Sequence, residues 1–395
     1  MSPRREPAPL LTRGFAALLV AQAGFGYAFS SFLLLPKFLV TELGAGPAEI
    51  GRLEAVHGIA AVLLMPLVGG LADRTGRRRF LTGGALLMAA TCFAFAWVDR
   101  VGPLLYALRA AQGAAFALAF SGGATLAVDQ APPQRLAQAI GWFGLTFLSM
   151  NAVAPAVVEE LSGARGWAAA FASAGAASLA SALLSRLVRD RRAASDAGEA
   201  APGVWRFALQ PRQLRTSAVI ALAGAALGVV FRFYQPFALE LGIEQVRGFF
   251  VAYAAAAVTV RIGFGEFVDR VGRRRVSLAC LALYVLVLLG LTRLRPGTLA
   301  LFGAAMGVTH GLFYPAFNAL AAEAAGPREK GKAMSLFQAA WQVGFSLAQA
   351  GLGAFAERRG YPAVFAAGAL CALAALAVLA LSPEGRPGPG AGSGP

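Results

Sequence analysis

Residues 69–79 read Gly69-Gly70-Leu71-Ala72-Asp73-Arg74-Thr75-Gly76-Arg77-Arg78-Arg79, and residues 265–275 read Gly265-Glu266-Phe267-Val268-Asp269-Arg270-Val271-Gly272-Arg273-Arg274-Arg275. The second stretch follows the first by 196 residues in a chain of 395. In each copy an apolar run ends on an aspartate, a glycine permits a sharp turn, and three arginines precede the next apolar run. Fainter echoes keep nearly the same spacing: Thr41-Glu42-Leu43-Gly44 with Leu239-Glu240-Leu241-Gly242, and Gly166-Trp167 with Gly360-Tyr361. Self-similarity at half the chain length means two halves built on one plan.

The surroundings of these loops set the fold class. Hydrophobic residues make up 57% of the chain and charged residues 14%, against about 25% charged in ordinary soluble domains. Twenty acids and thirty-five bases cannot coat the exterior of a soluble protein of this length. The charges also bunch: 80–98, 276–292 and 363–381 contain none, and 15–40 only Lys37. A run of roughly 20 apolar residues crosses about 30 Å of hydrocarbon, and in lipid such runs must be helices or closed barrels. Twelve segments emerge, at 14–41, 49–72, 80–98, 102–128, 135–160, 166–187, 215–241, 246–268, 276–294, 298–323, 331–356 and 361–381. The expected fold is an all-α membrane protein with 12 transmembrane helices in two pseudo-symmetric six-helix bundles. Bundles at 14–187 and 215–381 are joined by a polar linker, 188–214, between an N-terminal arm (1–13) and a Pro-Gly tail (382–395) expected to be disordered. The basic N-terminus precedes an apolar run about twice as long as a signal-peptide core, so that run is taken as the first span.

Basic residues orient the chain. One set of alternate loops, with both termini and the linker, holds twenty-three Lys and Arg; the other holds nine; Arg109, Arg232 and Arg261 fall inside spans. By the positive-inside tendency both termini are expected in the cytoplasm. The net charge of +15 is split among loops by hydrophobic spans, which excludes a nucleic-acid-binding role. Arginine dominance with only three lysines, beside abundant Ala and Gly, suggests a GC-rich bacterial genome and hence a bacterial cytoplasmic (inner) membrane. Three cysteines, Cys92, Cys280 and Cys371, all lie in apolar runs and imply neither a disulfide framework nor a metal site.

The duplicated loop resembles the signature of the major facilitator superfamily, G-x-L-[AS]-D-R-x-G-R-[RK], which 69–78 matches throughout and 265–274 matches with Phe267 in the Leu place. Arg109-Ala110-Ala111-Gln112-Gly113 resembles the span-four signature of proton-driven efflux members. The exporters' Gly-Pro pair in span five is here Ala154-Pro155. The resemblance implies parallel repeats meeting at a midplane site and working by alternating access. It implies a cytoplasmic gate built from Gly69, Asp73, Arg74, Gly76 and Arg77 with Asp129, where Asp73 faces the start of span eleven near Ala333. Asp269, Arg270, Gly272, Arg273 and Glu323 repeat that gate. It further implies a monomer that carries a small-molecule substrate, with the proton as coupling ion and no cofactor or metal.

Ionisable residues inside a bilayer cost roughly 2.5–3.5 kcal/mol each on insertion scales and are functional candidates by default. Arg109 is a candidate for proton coupling, or a structural partner of span-one carbonyls. Arg232 attracts an anionic or zwitterionic substrate if it faces the cavity, or else snorkels to the headgroups. Arg261 is expected to snorkel or to pack against Glu266. Glu54 and His57, three residues apart, share a helical face and can together carry a proton. The alternative, and the expectation, is a Glu54 hydrated near the outer surface. His310 is a second proton-site candidate, or a packed neutral ring. No acid occupies the middle of spans one or seven.

In the resembled fold spans one, four, seven and ten line the cavity. They would contribute Tyr27, Phe32, Gln112, Phe116, Phe120, Phe231, Arg232, Phe233, Tyr234, Phe313, Tyr314 and Asn318, and span eleven would add Gln338, Trp341 and Gln342. Aromatic rings with a few amides suit an amphipathic organic solute better than a sugar. A secondary active transporter exporting such a solute against protons is expected; an uncoupled facilitator or an importer of the same fold is the alternative. Apart from Glu54 with His57, the spans hold no Asp-rich, His-Glu or Cys-His cluster, and no Gly-rich phosphate loop accompanies them, so an enzyme is not expected.

Overall fold

A computed structural model of the chain describes residues 10–188, 190, 204–325 and 329–382; the arm through residue 9, most of the linker and the tail from 383 lie outside the described residues. So do the side chains of Asp73, Arg74, Asp269 and Glu266, and nothing is placed on Gly69 beyond its backbone. The described residues form helices and no strand.

The first rod, α1, runs from Arg13 to Leu43 through a 3-10 turn at Phe32–Leu34. Pro36 sits in the first turn after this break, where its missing N–H costs least. The first half continues with α2 (Pro47–Thr75), α3 (Arg77–Ala94), α4 (Pro103–Gln130), α5 (Leu136–Arg165) and α6 (Trp167–Leu184). After a short helix at Val204–Ala208 the second half has α7 (Pro211–Glu240), α8 (Arg247–Gly263, resuming as Gly265–Val271) and α9 (Arg273–Leu291). It ends with α10 (Leu299–Ala325), α11 (Lys330–Arg359) and α12 (Tyr361–Leu381).

The sequence echoes are also echoes of backbone. Gly76 and Gly272 turn the chain at φ +104° and +96°, Gly44 and Gly242 at +61° and +75°, Gly166 and Gly360 at +80° and +76°. Positive φ strains any residue with a Cβ, so a glycine stands at each matched corner. The two corners after the arginine-rich loops lie at one end of the bundle, here the arginine end; Gly44 and Gly242 mark the opposite end.

Among the described residues nine helices are long and apolar enough to cross a membrane. The three helices outside this count are α2, several of whose side chains lie outside the described residues, α8 and α11. The first part of α8 stops after Gly263 and is short. Helices α2 and α11 pack on each other across the two halves, so their buried polar groups, Glu54, Ser346 and Gln349, meet protein.

Each half has its own apolar core. Phe15, Phe25, Phe38, Phe95 and Phe171 fill the first; Phe231, Tyr234, Phe249, Phe250, Tyr253 and Tyr284 fill the second, which Leu33, Leu34, Leu148 and Val158 join across the seam. Small residues bring the seam close. A Cβ on Gly51 would stand 2.2 Å from Gln349 O, and one on Gly353 would stand 2.5 Å from Pro47 O.

This geometry gives a direct test. Gly51→Leu should overpack the seam by about 1–3 kcal/mol and lower the melting temperature of the detergent-purified chain by at least a few degrees. Gly141→Leu, where an added Cβ meets nothing within 4 Å, should melt as wild type. Equal melting of the two variants would show that the seam is not close-packed.

Candidate functional site

Three helices converge on one carboxylate. Glu54 of α2 accepts a hydrogen bond from Arg109 Nη2 of α4 on Oε2 at 2.7 Å, and Arg232 Nη2 of α7, from the other half, lies 3.0 Å from the same oxygen. All three residues are buried, at 2%, 2% and 5% exposure. Arg109 Nη1 also donates to Gln112 Oε1 at 2.6 Å, a pairing that their three-residue spacing on one helix face permits. Gly113 on α4 allows the approach of α2, since a Cβ there would stand 2.2 Å from His57 O.

These positions revise the sequence reading. Glu54 is not hydrated at the outer surface: the close approach of α11 at Gly51 and Gly58 covers that face of α2. Arg232 does not snorkel, because Glu54 holds it at the seam. Arg109 takes side-chain partners from α2 and α4 in place of span-one carbonyls. The cluster leaves polar atoms without partners: Arg109 Nε, Arg232 Nε and Nη1, Gln112 Nε2 and Glu54 Oε1.

Beside the cluster is a narrow crevice, with room for about one water molecule, lined by Phe29, Phe32, Leu33, His57 and Met88 together with Arg109, Gln112 and Arg232. His57 lies against the Phe29 ring at 5.8 Å, and Phe116 stacks beside Phe29 at 4.7 Å. On the other side the Arg232 guanidinium lies 6.0 Å from the Phe345 ring. One turn along α11, Trp341 packs against His310 at 5.3 Å and Tyr314 at 5.2 Å. The Tyr314 hydroxyl donates to Gln338 Oε1, and His310 Nδ1 lies 3.3 Å from Tyr284 Oη. Asn318 and Gln342 are half-buried on α10 and α11.

Other candidates lie elsewhere. Tyr234 is fully buried, stacks on Phe249 at 4.2 Å and donates to Val246 O at 3.1 Å, so it belongs to the second core and lines no cavity. Phe231 packs edge-on against Phe250 and Tyr253 in that core, and Phe233 is buried near Tyr361. Helix α7 is buried around its whole circumference here, so no single face could be assigned from periodicity. Tyr27 bonds to Ser173 Oγ of α6 at 3.0 Å, while Phe32 stacks on Phe171 and reaches the crevice with one edge.

At the arginine end Arg77 pairs with Asp129, and Arg273 pairs with Glu323, each within one half. Arg270 is exposed on the second loop. At the opposite end the halves are joined through Glu159 of α5, which the motif reading passed over. Its Oε1 accepts from Lys37 Nζ at 2.7 Å and Val246 N at 2.9 Å, and its Oε2 accepts from Arg247 N at 2.9 Å. Lys37 also donates to Glu244 O, and Arg247 Nη1 to Glu160 Oε2 at 2.6 Å. The available signal was Lys37, the lone charge of the first span, with the acid pair Glu159-Glu160. Their common partner, the start of α8, is remote in sequence.

The sequence pattern of the Major Facilitator Superfamily matches residues 16–265 and, in a second overlapping match, 233–394. The chain belongs to the Major Facilitator Superfamily. It is thus a secondary transporter in the membrane. Among curated relatives, the Multidrug resistance protein B homolog of Mycobacterium tuberculosis (strain CDC 1551 / Oshkosh) is 32% identical over 127 residues, 31% of this chain. That match spans only 23% of the relative's own length. An uncharacterized MFS-type transporter of Burkholderia mallei (strain SAVP1) is 25% identical over 355 residues, covering 87% of this chain and 86% of that one. Among solved structures, a mutant form of the nucleoside transporter NupG superposes with a TM-score of 0.80 at 17% identity, over 93% of this chain and 98% of that one. This likeness concerns the superfamily fold alone.

The Glu159 clamp is open to measurement. Glu159→Ala removes the acceptor of Lys37 and of two backbone donors, and should separate the halves at that end. Spin labels at exposed Thr41 and Gln245, in a chain freed of its three cysteines, should report a longer and broader distance distribution in the variant. An unchanged distribution would mean that the clamp does not hold the halves together.

Proposed function

We propose that the chain exports a small amphipathic organic solute across the bacterial cytoplasmic membrane in exchange for protons. The observation that carries this reading is the Arg109–Glu54–Arg232 cluster, because its carboxylate ties together helices of both halves. Ionised, Glu54 holds Arg232 across the seam. With a proton on Oε1, the oxygen left without a partner, the attraction for both arginines falls and the halves are freer to rock. The groups facing Glu54 are Arg109 from α4, Arg232 from α7 and His57 one turn along α2; α11 brings the uncharged Ser346 and Gln349.

The arginine end is assigned to the cytoplasm by the excess of basic residues there, twenty-three against nine. Among the described residues, polar contacts between the halves lie at Glu54 and toward the opposite end, at Gln235–Leu33, Glu357–Ala48 and Glu159. The described arginine-end pairs stay within their own halves. This pattern fits a cavity open to the cytoplasm and closed outside, with the duplicated loops acting as a gate when it reverses. Aromatic side chains on α10 and α11 supply the apolar part of the solute path.

Inverted membrane vesicles provide the test. A gradient of one pH unit drives about tenfold accumulation per exchanged proton. Wild-type vesicles should accumulate a transported amphipath when acidified inside and lose it on adding a protonophore. Glu54→Gln should still exchange labelled for unlabelled solute while accumulation falls to near unity. Accumulation by Glu54→Gln at the wild-type level would remove Glu54 from coupling, and wild-type flux insensitive to the protonophore would make the chain an uncoupled facilitator.

A further inference from the structure

We infer that this site selects anions: its solute carries a carboxylate or comparable anionic head, seated among Arg232, Arg109 and Gln112, on an apolar or aromatic body. The inference rests on the transport reading above and narrows it.

Charge is the first ground. Two guanidiniums share one carboxylate, so among the described residues the buried cluster holds one positive charge in excess. An uncompensated charge removed from water is costly, and a bound anion offsets it. Direction is the second. Four of the five unpartnered atoms in the cluster are N–H donors: Arg109 Nε, Arg232 Nε, Arg232 Nη1 and Gln112 Nε2. Their residues are at least nine-tenths buried and border the crevice, where an anionic acceptor would meet them. Shape is the third. Phe29, Phe32, Leu33 and Met88 wall the crevice, and Phe345 flanks Arg232 on the far side. Once the halves rock apart, an aryl or alkyl acid would cover these walls, whereas a small inorganic anion would leave them bare.

The same charge works against cationic amphipaths. A lipophilic cation placed beside Arg232 would add a second positive charge to a site already in excess.

Glu54 occupies the place of the solute's own head. It competes for the guanidiniums when ionised and yields them when protonated, so a proton on Glu54 and an anion on the arginines can each release the same ion pair. Anion binding should therefore respond oppositely to two substitutions. Arg232→Gln removes a donor and the excess charge; Glu54→Gln removes the competitor.

The test is calorimetric titration of the detergent-purified full chain with three aromatic probes of different charge: 1-naphthylacetate, its neutral amide and tetraphenylphosphonium. The carboxylate should bind at least about tenfold more tightly than either of the others, as expected for a charge-assisted contact. Arg232→Gln should abolish that preference, and Glu54→Gln should tighten carboxylate binding several-fold. If either variant fails to fold, the three-probe comparison on wild type decides alone. Tetraphenylphosphonium binding as tightly as the carboxylate, or no carboxylate binding up to millimolar concentration, overturns the anion site. Proton-driven accumulation of a cation in vesicles would defeat this inference and leave the transport reading standing. Carboxylate binding without any proton-driven movement would do the reverse.

Discussion

One carboxylate oxygen serves two guanidiniums from opposite halves of the chain. Much of the remaining architecture can be understood as what that contact requires. A buried ion needs neighbours that arrive close and stay dry. Gly113 brings α4 to α2, while Gly51, Gly58 and Gly353 bring α11 over the outer flank. Helices α2 and α11, which carry the buried polar groups Glu54, Ser346 and Gln349, shield each other.

The two ends of the bundle hold their charges differently. At the arginine end the described acid–base pairs, Arg77–Asp129 and Arg273–Glu323, lie inside a half and recur from one half to the other. At the opposite end Glu159 reaches across to the start of α8, and Glu357 of α11 answers from the second half by accepting from Ala48 N at the start of α2. The repeat therefore extends to the joint between the halves. The Glu159 side carries more partners, with Lys37 and Arg247 N added to the matched contact.

The fold was legible because its signals are local. A glycine corner, an aspartate-glycine-arginine loop and an apolar run each declare themselves within a dozen residues, and their recurrence gave the plan of the halves. The ionic residues were legible as a short list but not as a cluster. Glu54 lies only two turns from the start of α2, and hydration at that depth depends on whether another helix covers it. That cover is α11, nearly 300 residues away. Arg232 posed the same problem, since its partner lies in the other half. Tyr234 failed for a different reason: on a helix apolar all round, sequence spacing cannot say which ring faces a cavity and which fills a core. Glu159 had no motif, and its partners include backbone N–H groups, which leave no mark in a sequence.

That last detail has a consequence for how the chain tolerates change. Two of the donors that Glu159 binds belong to the main chain of residues 246 and 247, and every amino acid except proline supplies the same donor there. Substitution can wander through those two positions without erasing the docking point. On the facing side a single carboxylate carries it. Mutational fragility at this joint is thus concentrated in one residue, while its counterpart is written into the backbone and inherited with the helix itself.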